Sequence, residues 1–491
     1  MPPYRCIALP RACACWLMLL GGCAVGPDFH KPKPPPGQGY SPTPPGVTSA
    51  AAGAGGEAQH FVPGLDIPGQ WWQLFHCRPL DDLIERSLER SPDVKAAQAA
   101  LASARELVLA QRGAFLPSVD GNFSASRQRT SDEISPTPSS GDLNFTLYTP
   151  QLSVSYVPDV FGLNRRTVEA AAARAEQARF ALAATHTTLS SNVAATAVQE
   201  ASLRAQIAAT RELIAIGTDT LRVLRNRYDK GYASRLDVAA QESELAALEA
   251  TLPPLLKQLD EQRHLLTALS GGLPDQELPE QFELSALTLP QELPLSLPSR
   301  LVEQRPDVRQ AEANLHAASA QIGIAVANRL PNITLTASAG SMALAAGQIF
   351  GSGTNTRDLT AAVTQPIYRG GALLHQERAA RAAYEQAAEQ YRSTVLAAFQ
   401  NVADTLSALS RDADTLKATV AAEQAASVTL ELTRRQWQAG YAGYLALLSA
   451  EQAYQQALLA SVQAQASRYA DTVALFQALG GGWWNAEPAG G

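Results

Sequence analysis

Charge is scarce in this chain. Asp, Glu, Lys and Arg make up 17% of its 491 residues, against roughly a quarter in an ordinary soluble domain. The 39 basic and 46 acidic residues leave a net charge of −7, so no basic field is available to hold nucleic acid. Aromatic residues are sparse at 6%. Beyond residue 23 no stretch approaches the roughly 18 unbroken apolar residues of a membrane helix, which leaves strands as the only way for the later chain to cross a bilayer. Also missing are a GxxxxGK(S/T) phosphate loop, an HExxH pair and a GxSxG elbow. The seven histidines are scattered, and Glu261-x-x-His264 lacks the second such pair and the two further Glu of a di-iron core. An enzyme is not expected, nor is a metal or cofactor, and the chain has no energy source of its own. An apolar fraction of 46% nevertheless excludes global disorder, and the abundance of Ala, Leu, Gln and Ser points to close-packed helices.

Arg5 and Arg11 precede an apolar run from Ala12 to Leu20, which ends in Leu20-Gly21-Gly22-Cys23. Residues 1–22 read as an export signal. The ending resembles the bacterial lipobox, which implies that Cys23 becomes the lipidated first residue of the mature chain. Ala24 follows it, not the Asp that the resemblance links to retention in the inner membrane. Cleavage there removes Cys6, Cys13 and Cys15 and leaves Cys23 and Cys77, too few for an internal disulfide framework. Residues 23–56, rich in Pro, Gly, Ala, Ser and Thr, form the lipid anchor and a linker with little to bury.

Beyond an N-terminal segment at 57–78 the chain repeats itself. Ser91-Pro92-Asp93-Val94 returns as Arg305-Pro306-Asp307-Val308, and Gly231-Tyr232-Ala233 returns as Gly440-Tyr441-Ala442. Two copies of one unit of about 200 residues are the organisation. The first, 79–269, is expected to hold a helix over 79–114, strands at about 116–128 and 143–157, a proline-free long helix over 163–228, and a helix over 235–269. Past Thr149-Pro150 the apolar phase of the second strand slips, as a bulge or a kink at proline would make it. The second copy, 301–479, repeats this with strands at about 331–342 and 357–366, a long helix over 374–437 and a helix over 444–479. Each long helix would reach roughly 100 Å, the length of a coiled-coil wall. The proline-rich segment 270–300 is expected to join the units as extended surface chain, and 480–491 forms a tail.

Four alternating strands cannot close a membrane barrel, which needs at least eight; three chains would supply twelve. The expected fold is mainly α with a small β part, in which a long α-helical coiled-coil barrel continues a transmembrane β-barrel in a homotrimer. Cys23-Ala24-Val25-Gly26-Pro27-Asp28-Phe29, Trp71-Trp72 and Pro79-Leu80-Asp81-Asp82-Leu83-Ile84 resemble the lipoprotein branch of the TolC-like outer-membrane efflux factors. So do Asp159-Val160-Phe161-Gly162 with Arg165-Arg166, and Arg227-Tyr228-x-x-Gly231 with Leu236-Asp237-Val238. The resemblance implies a lipid-anchored outer-membrane duct with a periplasmic extension. It also implies an adaptor and an inner-membrane pump of the resistance-nodulation-division type as partners, with small molecules as cargo. A type I secretion duct for polypeptides is the alternative.

The turns at 228–235 and 437–444 end the long helices. By resemblance Arg227, Tyr228, Gly231, Leu236, Gly440 and Tyr441 face the adaptor, and Asp237, Leu445 and Ser449 form a periplasmic gate. Ala446 and Ser449 stand where family members carry aspartates. For the glycines a plain hairpin role is the other reading, and for Asp237 a solvated helix-start carboxylate. Arg225, Arg227, Lys230, Arg235, Arg434 and Arg435 make this end locally basic.

Overall fold

A computed structural model describes residues 24–33, 39–40, 46–129, 144–276 and 278–486. The signal at 1–22, Cys23, parts of the 23–56 linker, the loop at 131–142 and the end of the 480–491 tail lie outside the described residues. The elements are β1 (His60–Pro63), α1 (Arg78–Arg90), α2 (Pro92–Arg112), β2 (Ser118–Arg129), β3 (Asn144–Tyr156), α3 (Leu163–Asp229) and α4 (Arg235–Leu269). The second half supplies β4 (Glu292–Leu295), α5 (Pro298–Gln304), α6 (Pro306–Ala327), β5 (Asn332–Ser341), β6 (Asn355–Thr364), α7 (Ala372–Gln438) and α8 (Tyr444–Ala478). α3 and α7 each have 67 residues, α4 and α8 each 35, so the sequence repeat is also a repeat of element lengths. None of the described helices is long and apolar enough to cross a membrane.

The helix expected over 79–114 is two helices. Pro92 disfavours helical geometry at the residue before it, and Ser91 takes φ −52°, ψ 126°. Pro306 does the same to Arg305 in the second copy, which begins at Pro298, three residues earlier than expected.

One compact unit gathers 101–177, 311–391 and the described part of 1–31. Its centre is an antiparallel sheet in the order β2-β3-β5-β6. The register sets Val119, Gly121, Phe123 and Ala125 beside Val154, Leu152, Pro150 and Tyr148, then Leu335, Ala337 and Ala339, then Leu359 and Ala361. Successive strand residues face opposite ways, so these share one apolar face, while Asp120, Asn122, Ser124, Ser153, Ser155, Thr336, Ser338 and Thr360 share the other. Of the bulge or kink expected at Pro150, no bulge forms against β2, since β3 pairs with β2 without a break from Asn144 to Ser155. The interruption lies on the other edge, between the Tyr148–Ala343 bridge and the Gln151–Gly340 pair, where proline has no N–H to give β5. The change of phase is therefore real, and Phe145 and Leu147 lie on the polar face.

The same unit holds the residues that follow Cys23. The Val25 amide donates to Phe161 O at 3.1 Å, and Phe29 stacks on His316 with ring centroids 4.3 Å apart. Arg166, buried, donates to Val25 O at 3.0 Å, Gly26 O at 3.3 Å, Asp28 Oδ1 at 2.8 Å and Glu169 Oε2 at 2.7 Å.

The other unit gathers 32–100, 178–310 and the rest of the chain from 392. Here two stretches expected to be exposed contribute buried residues. In the 270–300 segment β4 pairs in parallel with β1, and Phe282, Leu284, Leu287, Leu289 and Leu293 are core residues. From the linker, Thr48 is buried, and the fully buried Arg468 of α8 donates to Glu57 O at 3.1 Å and Gln59 Oε1 at 2.8 Å. Trp71 stacks on Phe476 at 5.1 Å and closes the core where α8 ends.

Candidate functional site at the hairpin turns

Two helical hairpins of the second unit carry the candidate site. α3 ends at Asp229, and Gly231 takes φ +78°, which lets its amide donate to Tyr228 O at 2.9 Å and the Tyr232 amide to Arg227 O at 2.8 Å. Gly440 takes φ +82° after α7, with the Tyr441 amide donating to Gln436 O at 2.8 Å. Both are left-handed helix ends that glycine reaches at no steric cost.

The helices that follow start differently. Ser234 caps α4, its Oγ accepting from the Asp237 amide at 3.1 Å while the Ser234 amide donates to Asp237 Oδ2 at 3.0 Å. Asp237 is thus a half-buried capping carboxylate. At the matching positions of α8 stand Gly443 and Ala446, and no side chain caps that helix. α8 is held instead by Tyr444, buried, whose hydroxyl donates to Gln241 Oε1 at 2.5 Å. Burial, with Glu451, Glu244 and Asp237 nearby, pushes the Tyr444 phenol well above its ordinary range.

Between the hairpins Leu224, Leu430, Trp437, Tyr444, Leu447 and Ala450 form one buried cluster. Arg227 bridges the two turns. Its Nη1 donates to Trp437 O and its Nη2 to Gln438 O, both at 3.2 Å, and its guanidinium lies 4.1 Å from the centroid of the Trp437 ring. These carbonyls belong to the C-terminal turn of α7, where a cation is favoured by the helix dipole.

Tyr228, Leu236, Tyr441 and Leu445 are exposed, the last three to 74%, 87% and 65%, and Ser449 is exposed as well. Of the six basic residues at this end three are ion-paired: Arg225 binds Glu242, Arg434 lies 3.6 Å from Glu451, and Arg435 pairs with Glu431. Sequence reasoning passed over three residues. Tyr232 is 82% exposed, and the 209-residue offset that pairs it with Tyr441 was the available signal. Trp437 receives Arg227. Glu451, two residues beyond Ser449, is raised in pKa by burial although Thr220 donates to it at 2.9 Å. Among the described residues no cluster of three or more His, Cys, Asp or Glu could hold a metal, and Cys77 is a buried free thiol.

The outer membrane efflux protein family model matches residues 83–272 and 297–481, which takes in both repeats. The pyoverdine export outer membrane protein OpmQ of Pseudomonas putida is 31% identical over 450 residues, spanning 90% of this chain and 94% of the relative. The probable efflux pump outer membrane protein TtgC of the same species is 30% identical over 474 residues, or 95% and 94% of the two chains. Among solved structures, the outer-membrane channel OprN superposes with a TM-score of 0.83 at 25% identity, covering 94% of this chain and all of that one. VceC of Vibrio cholerae does so with a TM-score of 0.80 at 28% identity, over 85% and 100%. With both repeats inside the family model and relatives matching almost end to end, this chain belongs to the outer membrane efflux protein family.

Proposed function

We propose that this chain is the outer-membrane exit duct of a tripartite efflux system. In this reading three copies assemble into a tube that passes small molecules outward without catalysis, driven by an inner-membrane pump through a periplasmic adaptor. The observation that carries it is the four-stranded sheet, with one apolar face, one polar face and both edges unpaired among the described residues. An open edge is untenable in lipid, and three such sheets joined edge to edge supply twelve strands with none left over. The apolar stretch from Val119 to Ala125 spans about 20 Å at 3.3 Å per residue, close to the roughly 25 Å apolar band of outer-membrane barrels. The polar face would line the bore.

Cys23 would carry the acyl lipid. The exposed Tyr232 and Leu236 with their partners Tyr441 and Leu445 would meet the adaptor, and Leu445, with Ser449 and Asp237 beside it, would narrow the tube at rest. A pump of the resistance-nodulation-division type remains the expected motor. Relatives named for export of pyoverdine and for antibiotic and toluene efflux favour small molecules over polypeptides. The test is mass and imaging of the detergent-extracted protein together with drug susceptibility of a strain that lacks it. A hollow trimer and lost tolerance are expected; a monomer, or a trimer whose deletion leaves every tolerance unchanged, would overturn the reading.

A further inference from the structure

The apolar face of the four-stranded sheet ends in arginine. On β2 the positions Val119, Gly121, Phe123 and Ala125 are followed on the same face by Arg127 and Arg129, and on β6 Ala361 and Leu359 are preceded there by Arg357. All three arginines are exposed. They stand where the chain turns back between β2 and β3 and between β5 and β6, while α2, α3, α6 and α7 adjoin the opposite end of the sheet. With the helices in the periplasm, this end faces the outside. Tyr148 lies beside Ala125 just beneath the arginines, the place of an interfacial aromatic. Asp358, next in sequence to Arg357, is on the other face, where Thr360 donates to it at 2.7 Å. Among the described residues no carboxylate pairs with any of the three arginines.

Arg127 and Arg129 belong to one edge strand and Arg357 to the other, so they meet only between copies. The internal repeat indicates how. Leu116-Pro117 returns as Leu330-Pro331, which makes the pairs Val119–Val154 and Ile333–Val363 equivalent. The pairing of β3 with β5 within the chain then carries over to β6 with β2 of the partner subunit. Leu152 opposite Ala339 becomes Ala361 opposite Ala125 of the partner subunit, and the Tyr148–Ala343 bridge becomes Arg357 opposite Arg129 of the partner subunit. Apolar again meets apolar, which a register wrong by one residue would not give. Arg127 of the partner subunit is the diagonal neighbour of Arg357, about 7–8 Å away. Like charges directly opposite on one sheet face repel, so this seam calls for an anion among the three guanidiniums.

We propose that each seam between copies binds the phosphorylated diglucosamine headgroup of lipopolysaccharide, the lipid of the outer leaflet. Arg357 of one copy and Arg127 and Arg129 of the partner subunit hold the phosphate through paired N–H donors, a geometry that guanidinium matches and ammonium does not. The acyl chains lie below, against the exposed Leu359 and Phe123. The inference rests on the trimeric duct proposed above and adds the lipid that occupies its seams.

The test is native mass spectrometry of the detergent-extracted full chain, titrated with lipid A, with dephosphorylated lipid A and with inorganic phosphate. Lipid A should stay on the trimer, and the dephosphorylated form should bind about tenfold more weakly or worse. This comparison needs no variant. Arg357→Gln should weaken lipid A about tenfold, and Arg357→Lys, which keeps the charge without the fork, should restore binding only in part. Arg112→Gln is the control: it removes an exposed arginine where α2 ends, at the opposite end of the sheet, and should leave binding unchanged. Ala125→Cys combined with Ala361→Cys checks the register with the arginines intact, since a short bis-thiol cross-linker should join copies through these positions. A monomer would overturn the duct itself. A trimer that holds both lipids equally, binds free phosphate as tightly as lipid A, loses as much binding in Arg112→Gln, or forms no such cross-link would overturn the proposal and leave the duct standing.

Discussion

Arg227→Ala should loosen the turns of the second unit without touching the middle of the long helices. Three contributions are lost. The charge-assisted bonds to Trp437 O and Gln438 O are long, at 3.2 Å, and half exposed, so the pair contributes about 1 kcal/mol instead of the larger value of buried ones. The guanidinium over Trp437 adds about 0.5–1 kcal/mol, and the cation at the C-terminus of α7 a few tenths more. Together they amount to about 2 kcal/mol, or about thirtyfold in a local opening equilibrium. Amide hydrogen exchange measures this directly. The Tyr441 amide, bonded to Gln436 O, should exchange about thirtyfold faster, while amides near Val193 should not change. Arg227→Lys keeps a charge but neither the fork nor the stacking plane, so it should restore less than half of the protection. A change below about threefold, or complete rescue by lysine, would refute the bracing role. Lost drug tolerance with unchanged exchange would instead mean that Arg227 acts outward on a partner.

Replacing Gly231 or Gly440 with Val forces a β-branched residue to φ near +80°, at a cost of about 1–2 kcal/mol each. Nothing lies within 4 Å of either added Cβ, so Asn, which tolerates this conformation, should restore efflux, and equal damage from Asn would refute a conformational cause. Cys23→Ser should abolish labelling by fatty acid, and label on another residue would sink the acylation assignment. Leu445→Ser should raise the resting single-channel conductance if Leu445 narrows the tube, and an unchanged trace would remove it from the gate. Asp471, pushed up to about 7 by burial and by Asp412, holds in the fold a proton that the unfolded chain releases near its ordinary 3.8. Stability should therefore fall as pH rises from about 4 to 7, by about 2 kcal/mol after allowance for partial exposure. Asp471→Asn should flatten that slope and raise the Tm at pH 8, and an unaltered slope would rule Asp471 out.

What the sequence made legible followed from period and punctuation. The long helices were readable because Ala, Leu, Gln and Glu continue without a proline, and Gly231 and Gly440 mark where they stop. The strands were readable from alternation, but not the consequence of Pro150, because a proline that spares one ladder and interrupts the other leaves the same mark on a single sequence as a bulge. Burial of 282–293 and of Thr48 was illegible for another reason: proline-rich and small-residue composition describes chain stiffness, while the partners, β1 and Arg468, lie more than 200 residues away. The ion pairs of Arg225 and Arg434 were illegible in the same way, since Glu242 and Glu451 reach them only across a hairpin.

Those cross-hairpin contacts make the two turns unequal in a way the matching element lengths conceal. The first hairpin closes itself: Gly231 ends α3 and the Ser234–Asp237 box starts α4. The second borrows both of its fastenings, since Arg227 satisfies the last carbonyls of α7 and Gln241, itself bonded to Gly217 O at 3.1 Å, holds Tyr444 at the start of α8. Gly443 and Ala446 provide nothing to replace them. Loosening should then be one-sided. In Arg227→Ala, exchange between 436 and 446 should accelerate more than exchange between 228 and 238, and Gln241→Leu should reproduce that bias from the other fastening. Equal acceleration of both turns would mean that the shared cluster around Trp437 and Leu447, not these borrowed bonds, holds the second hairpin in place.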